Sequence, residues 1–163
     1  EKSRNMYCEV LLKTIGAKKK GSKSTAGGIA ALSEFWQARG LSLSGFFMKD
    51  GCGLSARNGV SAKTFAQMMR KMYLDKNAFN DFYNQLAIAG QTGTLKNFCK
   101  NSAADNNMRA KSGSMNRIRS FTGYVRTQSG KLLSFSILVN NYSCSGYMMK
   151  KKLATLLIAL AES

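Results

Sequence analysis

Apolar side chains recur along this chain with two periods, and the change of period marks its organisation. Up to about residue 89 they return every three or four positions, the spacing of one helix face; later they alternate, as on a half-buried strand. Residues 1–15 read as a helix opened from Ser3, with Tyr7, Val10, Leu11 and Ile15 as its stripe and Gly16 as its stop. Residues 17–28 form a basic, Gly/Ser-rich connection. A second helix starts at Ser24 or Thr25 and runs to Ala38, with Ile29, Leu32, Phe35 and Trp36 as its buried stripe and Gly40 at its end. Residues 41–49 contain a short strand through Leu43, Phe46, Phe47 and Met48, broken by the turn-rich run Asp50-Gly51-Cys52-Gly53-Leu54-Ser55.

Ser61 caps a third helix, which places Phe65, Met68, Met69 and Met72 on one face. Residues 77–89 predict a fourth, through Phe79, Phe82, Tyr83 and Leu86, followed by a loop to Leu95. A short strand around Lys111 precedes a hairpin. Phe121, Gly123 and Val125 face one way on its first strand, and Leu133, Phe135, Ile137 and Val139 on its return, across the turn Gln128-Ser129-Gly130. A helix over residues 147–161 closes the chain. The fold class is α+β, with helices packed on an antiparallel sheet that has one buried face, in a single domain over residues 1–163.

Composition sharpens this. At 163 residues and 44% apolar the chain can build a genuine core. Its apolar runs fall well short of the ~18 residues that span a bilayer. It starts at Glu1, without Met or a signal run, and is read as processed or cut from something longer. Histidine is absent, which removes Ser-His-Asp and Cys-His catalysis and histidine metal sites. The four cysteines, Cys8, Cys52, Cys99 and Cys144, are far apart and never in Cys-x-x-Cys, so neither a metal nor a cofactor is expected. Free thiols and one or two disulfides both remain open, and the length of the chain favours mostly free thiols. The net charge of +17 raises nucleic-acid binding. Yet the basic clusters, Lys18-Lys19-Lys20 with Lys23, Arg109 to Arg119, and Lys150-Lys151-Lys152, are not interleaved with aromatics on a strand, and no nucleic acid is expected.

Without histidine, a nucleophilic hydrolase needs lysine for proton transfer. The signature of that chemistry is Ser-x-x-Lys, a Ser-x-Asn triplet and Lys-Thr-Gly. Lys111-Ser112-Gly113 is the strand triplet with Ser for Thr, which keeps the hydroxyl, and Ser3-Arg4-Asn5 is the Ser-x-Asn triplet. Ser3 also suits a helix N-cap.

In order along the chain, Lys2 to Gly16, Asp50-Gly51-Cys52-Gly53-Leu54-Ser55-Ala56-Arg57-Asn58, Gly93-Thr94-Leu95, Arg109 to Ser114 and Phe121-Thr122-Gly123-Tyr124-Val125 resemble the D-alanyl-D-alanine carboxypeptidases. More narrowly they resemble the class C low-molecular-mass penicillin-binding proteins, whose loop reads Asp-Gly-Ser-Gly-Leu-Ser where this chain has Cys52. The resemblance implies the C-terminal part of a penicillin-recognising transpeptidase fold in the bacterial envelope or periplasm. It implies peptidoglycan stem peptides as substrate, β-lactams as inhibitors and no cofactor. Ser3 would relay protons and Asn5 would bond the substrate amide. Lys111 would supply positive charge, Ser112 would bond the terminal carboxylate at the Gly113 edge, and the Ser114 N–H would be half of an oxyanion hole.

No serine here has lysine three positions on; Ser61-Ala62-Lys63 is one residue short. The expectation is therefore a serine DD-peptidase in the parent protein and an inactive fragment. The alternatives are a peptidoglycan-binding pseudoenzyme and a basic nucleic-acid binder.

Overall fold

A computed structural model describes residues 3–163, and the first two residues of the predicted opening helix, Glu1 and Lys2, lie outside them. The described residues form two compact units, residues 3–64 and residues 65–163.

The N-terminal unit is built on two helices, α1 (Asn5–Lys20) and α2 (Thr25–Ala38). Gly16 does not stop α1. It lies buried inside the helix, which ends at Gly21 in a left-handed conformation (φ 64°). The buried line of α1 is Leu12 and Gly16, while the predicted stripe residues Tyr7, Val10 and Leu11 are exposed. In α2 Gly28 and Ala31 are buried, the predicted stripe residues Ile29, Leu32 and Trp36 are half-buried, and Phe35 is exposed. The reason is steric. A methyl group on Gly28 would stand 2.2 Å from the Leu12 carbonyl oxygen, and one on Gly16 would stand 2.6 Å from the Gly28 nitrogen. The two backbones approach so closely that glycines make the crossing point, with Leu12 packed beside them. Ser24 caps α2 by accepting from the Gly27 N–H at 3.0 Å. The cap predicted for Ser3 does not form, because α1 starts from Arg4, whose side chain makes no capping bond. Where a strand was predicted in residues 41–49 there is a single bridge between Phe47 and Gly59. Flanking turns leave no room for a ladder.

The unit boundary falls within α3 (Ala62–Leu74), which Ser61 caps through the Thr64 N–H at 3.0 Å. In the C-terminal unit, α4 (Phe79–Gln85) is followed by β1 (Ala87–Ile88), a strand where the helix was predicted to continue. Next come a single 3₁₀ turn (Gly93–Leu95), β2 (Met108–Met115), β3 (Ile118–Arg126), β4 (Leu132–Asn140) and α5 (Gly146–Glu162). The four strands form one antiparallel sheet in the order β1-β2-β3-β4.

One sheet face is the predicted one. Met108, Ala110, Phe121, Val125 and Phe135 are buried in a single cluster with Leu153, Leu157 and Ala161 of α5. The opposite face is also covered at one point, which the expected single buried face left out. Tyr124 is 1% exposed, its hydroxyl donates to the Met69 carbonyl at 2.7 Å, and Phe79, Phe82 and Tyr83 surround its ring. Burial raises the Tyr124 pKa well above that of a free tyrosine, and the neighbouring Tyr83 adds to the shift. Among the described residues no helix is long and apolar enough to cross a membrane.

The helix crossing yields a test. Gly28→Ala forces the α1 and α2 backbones apart, since the obstructing atom is a carbonyl oxygen rather than a movable side chain. We expect a loss of about 1–3 kcal/mol in urea unfolding. An unchanged midpoint would show that the helices do not meet at Gly28.

Candidate active site

β2 carries Lys111-Ser112-Gly113-Ser114, and its sheet position differs from one half of the strand to the other. On one side it pairs with β3 along its full length, from Met108 opposite Val125 to Met115 opposite Ile118. On the other side β1 reaches only Arg109 and Ala110. From Lys111 onward that edge has no strand beside it among the described residues. An edge of unpaired backbone groups is where an extended peptide can add as a further strand.

Strand alternation then divides the four residues. Ser112 stands opposite Phe121 and Ser114 opposite Arg119, on the sheet face that packs α5. Lys111 and Gly113 lie on the other face, opposite Thr122 and Ser120. Lys111 is exposed, and its Nζ donates to the Ser112 carbonyl. A methyl group on Gly113 would meet Ser120 Oγ at 2.4 Å, so glycine leaves that hydroxyl its place.

The Ser112 hydroxyl donates to Thr94 Oγ1 at 2.8 Å. Thr94 is exposed, whereas its neighbour Leu95 is fully buried and fixes the 3₁₀ turn to the core. Two hydroxyls are thus held beside the open edge as linked donors and acceptors. Thr94 was absent from the predicted site residues, although the Gly93-Thr94-Leu95 run had been singled out.

Ser3 and Asn5 belong to the other unit. Both are exposed, Asn5 as the first residue of α1 and Ser3 two residues before it. One turn further on, Glu9 Oε1 accepts the Gly51 N–H at 2.8 Å and the Cys52 N–H at 2.9 Å. Asp50 holds the same loop from within, accepting the Gly53 N–H at 2.6 Å, the Ser55 N–H and the Asn58 side-chain amide at 3.0 Å. Asn58 returns a bond by accepting the Lys49 N–H at 2.7 Å. The Asp-Gly-Cys-Gly-Leu-Ser run is therefore a clamp on the helix that carries the Ser-x-Asn triplet. Sequence reasoning gave neither acid this role. Their rarity was the available signal, since residues 3–64 hold only Glu9, Glu34 and Asp50 as acids. Glu34 pairs with Lys20. Glu9, Asp50 and Cys52 bring ligand-type atoms within 4.8 Å of one another, but both carboxylates are engaged by loop donors.

Residues 1–160 match the D-Ala-D-Ala carboxypeptidase 3 (S13) family. The chain is 31% identical over 146 residues to the D-alanyl-D-alanine carboxypeptidase of Actinomadura sp. strain R39, covering 86% of this chain and 27% of that protein. In structure it is similar to penicillin-binding protein 4 (dacB) of Haemophilus influenzae, with a TM-score of 0.90 and 20% identity over 99% of this chain and 38% of the other. It is also similar to the TLA-1 extended-spectrum β-lactamase, with a TM-score of 0.71 and 17% identity over 98% of this chain and 60% of that one. The chain thus has a penicillin-binding, β-lactamase-like fold in part, and it spans well under half the length of the carboxypeptidase relatives it matches.

The loop clamp is testable by acid. Partial burial raises the Asp50 pKa, but the bonds from Asn58, Gly53, Ser55 and Leu54 together hold it below the usual carboxylate range. A depressed folded-state pKa contributes stability that is present above the unfolded value of ~3.9 and is lost as the pH falls through the lowered one. We expect Asp50→Asn to be less stable than the native chain at neutral pH and to lose less stability on acidification below about pH 4. Urea midpoints measured across that range read the difference, and parallel curves for the two proteins would dismiss the clamp.

Proposed function

Because the chain belongs to the D-Ala-D-Ala carboxypeptidase 3 (S13) family, we propose that it supplies the substrate-binding half of a serine DD-peptidase that trims or cleaves peptidoglycan stem peptides. Its two units then act as parts of one catalytic domain in the bacterial envelope, and the nucleophile belongs to a Ser-x-x-Lys segment that these 163 residues do not contain. The observation that carries the reading is the open β2 edge with Lys111, Ser112, Gly113 and Ser114 on it.

In this reading the stem peptide lies along that edge as an added strand. The Ser112 hydroxyl receives its terminal carboxylate, with Thr94 orienting the hydroxyl, and Lys111 supplies positive charge at that end of the strand. A charge-assisted bond of this kind is roughly twice as strong as a neutral one. The Ser114 N–H stabilises the oxyanion of the tetrahedral intermediate; losing one such donor typically costs ~10² to 10³ in rate. Asn5 bonds the substrate amide, and Ser3 passes the proton from the attacking serine to the departing D-Ala. Water then hydrolyses the acyl-enzyme. A β-lactam takes the place of the peptide and leaves the acyl form trapped.

Labelled penicillin and mass spectrometry decide the matter. The 163-residue chain should form no covalent adduct, because Ser3 has no lysine of its own to activate it. A longer chain carrying Ser-x-x-Lys should acylate. Lys111→Ala in that longer chain should lower acylation by at least about tenfold without unfolding it, since an exposed lysine supports little packing. A stoichiometric adduct on the 163-residue chain would place a nucleophile within it. A longer chain that stays unmodified would make the protein a peptidoglycan-binding pseudoenzyme.

A further inference from the structure

The clamp between α1 and its loop brings the backbone segments that carry Cys8 and Cys52 against each other, although these two cysteines lie far apart in sequence. Cys8 lies on α1 next to Glu9, whose carboxylate holds the Cys52 N–H at 2.9 Å. On the loop side the approach is closer still. A methyl group on Gly51, the neighbour of Cys52, would stand 2.7 Å from the Cys8 carbonyl oxygen and 3.1 Å from its carbonyl carbon. Cys8 is exposed and Cys52 half-buried, so reagents reach the pair from solution. Neither thiol is in a disulfide in this structure, and all the contacts described here lie within the N-terminal unit.

We propose that Cys8 and Cys52 form an intramolecular disulfide that staples the start of α1 to the 50–55 loop. The fold holds the two backbone segments at close range and leaves at least one sulfur accessible, both of which such a bond needs. The oxidant is a small-molecule disulfide. The Cys8 thiolate attacks it, an S–S bond forms to one half, and the other half leaves as a thiolate that takes up a proton. Cys52 then attacks the Cys8 sulfur, the protein disulfide forms, and the second half departs in the same way. Two protein thiols are oxidised, and one small disulfide is reduced to two thiols. Cys99 stays out of the exchange. It is buried, and burial raises its thiol pKa to about 11, which leaves almost no thiolate at neutral pH. Glu9 holds the Cys52 loop to α1 through backbone bonds, and Asp50 fixes that loop from within. The proposal is independent of the catalytic reading, because it uses neither the nucleophile nor the substrate edge.

The test is oxidation of the native protein with oxidised glutathione, followed by alkylation under denaturing conditions and peptide mapping without reductant. We expect a loss of two hydrogen atoms per chain, one cross-linked pair joining the Cys8 and Cys52 peptides, and alkylated Cys99 and Cys144. Cys8→Ala and Cys52→Ser should each abolish the cross-link, with the far-ultraviolet circular dichroism unchanged. The same oxidation in urea should scatter the pairing over all four cysteines. Four alkylated thiols after native oxidation would overturn the proposal. So would a glutathione adduct that persists on Cys8, a cross-link to Cys99 or Cys144, or a Cys8–Cys52 share no greater than in urea.

Discussion

The site in the C-terminal unit depends on the register between β2 and β3. Side chains alternate along a strand, so a slip of one residue would exchange every group between the two faces. The core prevents that slip. Met108 and Ala110 are fully buried on the α5 side, and Gly123 approaches so closely that a methyl group there would stand 2.1 Å from the Arg109 carbonyl oxygen. With the register fixed by apolar packing, Ser112 must meet Thr94 and Lys111 must face the other way. The candidate site residues contribute little to their own placement. Neighbours at positions 108, 110, 121 and 123 determine it.

That division of labour explains what could be read in the sequence. The hairpin was legible because its alternation spans nine residues on each strand, and because Phe121, Val125 and Phe135 mark the core face without ambiguity. The Ser61 cap, α5 and the order of helices before sheet were legible for the same reason: period and capping act over short range. The motif triplets were legible as residue types at recognisable places, Lys111 to Ser114 on a strand and Asn5 at a helix start.

What failed was decided by long-range packing. In α1 the apolar stripe was a misleading guide, because the contact with α2 is made by Gly16 and Leu12 against Gly28, and Tyr7, Val10 and Leu11 are turned outward. Gly16 had the signature of a helix stop and serves as a crossing point. Residues 86–89 continue an amphipathic helical pattern, yet Ala87 and Ile88 pair with Ala110 and Arg109, since a sheet edge was available there to take them. Local preference was outweighed by a partner distant in sequence. Tyr124 likewise looked like the polar side of a strand until α3 and α4 covered it.

The clamp in the N-terminal unit adds an electrostatic version of the same lesson. In a chain of net charge +17, an acid is scarce, and a carboxylate has many cations to attract it at the surface. Glu9 and Asp50 are nevertheless spent on backbone N–H groups, which cannot move away or be screened as an exposed ammonium can. Such bonds fix a loop in one conformation, whereas a surface ion pair contributes little and tolerates many. The stretches that carry the candidate residues in the two units thus follow one logic. Exposed polar candidate residues are set on short stretches of backbone, and each stretch is immobilised from behind, by a packed sheet in one unit and by a carboxylate clamp in the other. On the proposed function, a substitution at Lys111 or Asn5 would act on chemistry and leave the fold alone, while one at Gly123 or Glu9 would act on chemistry only by way of the fold.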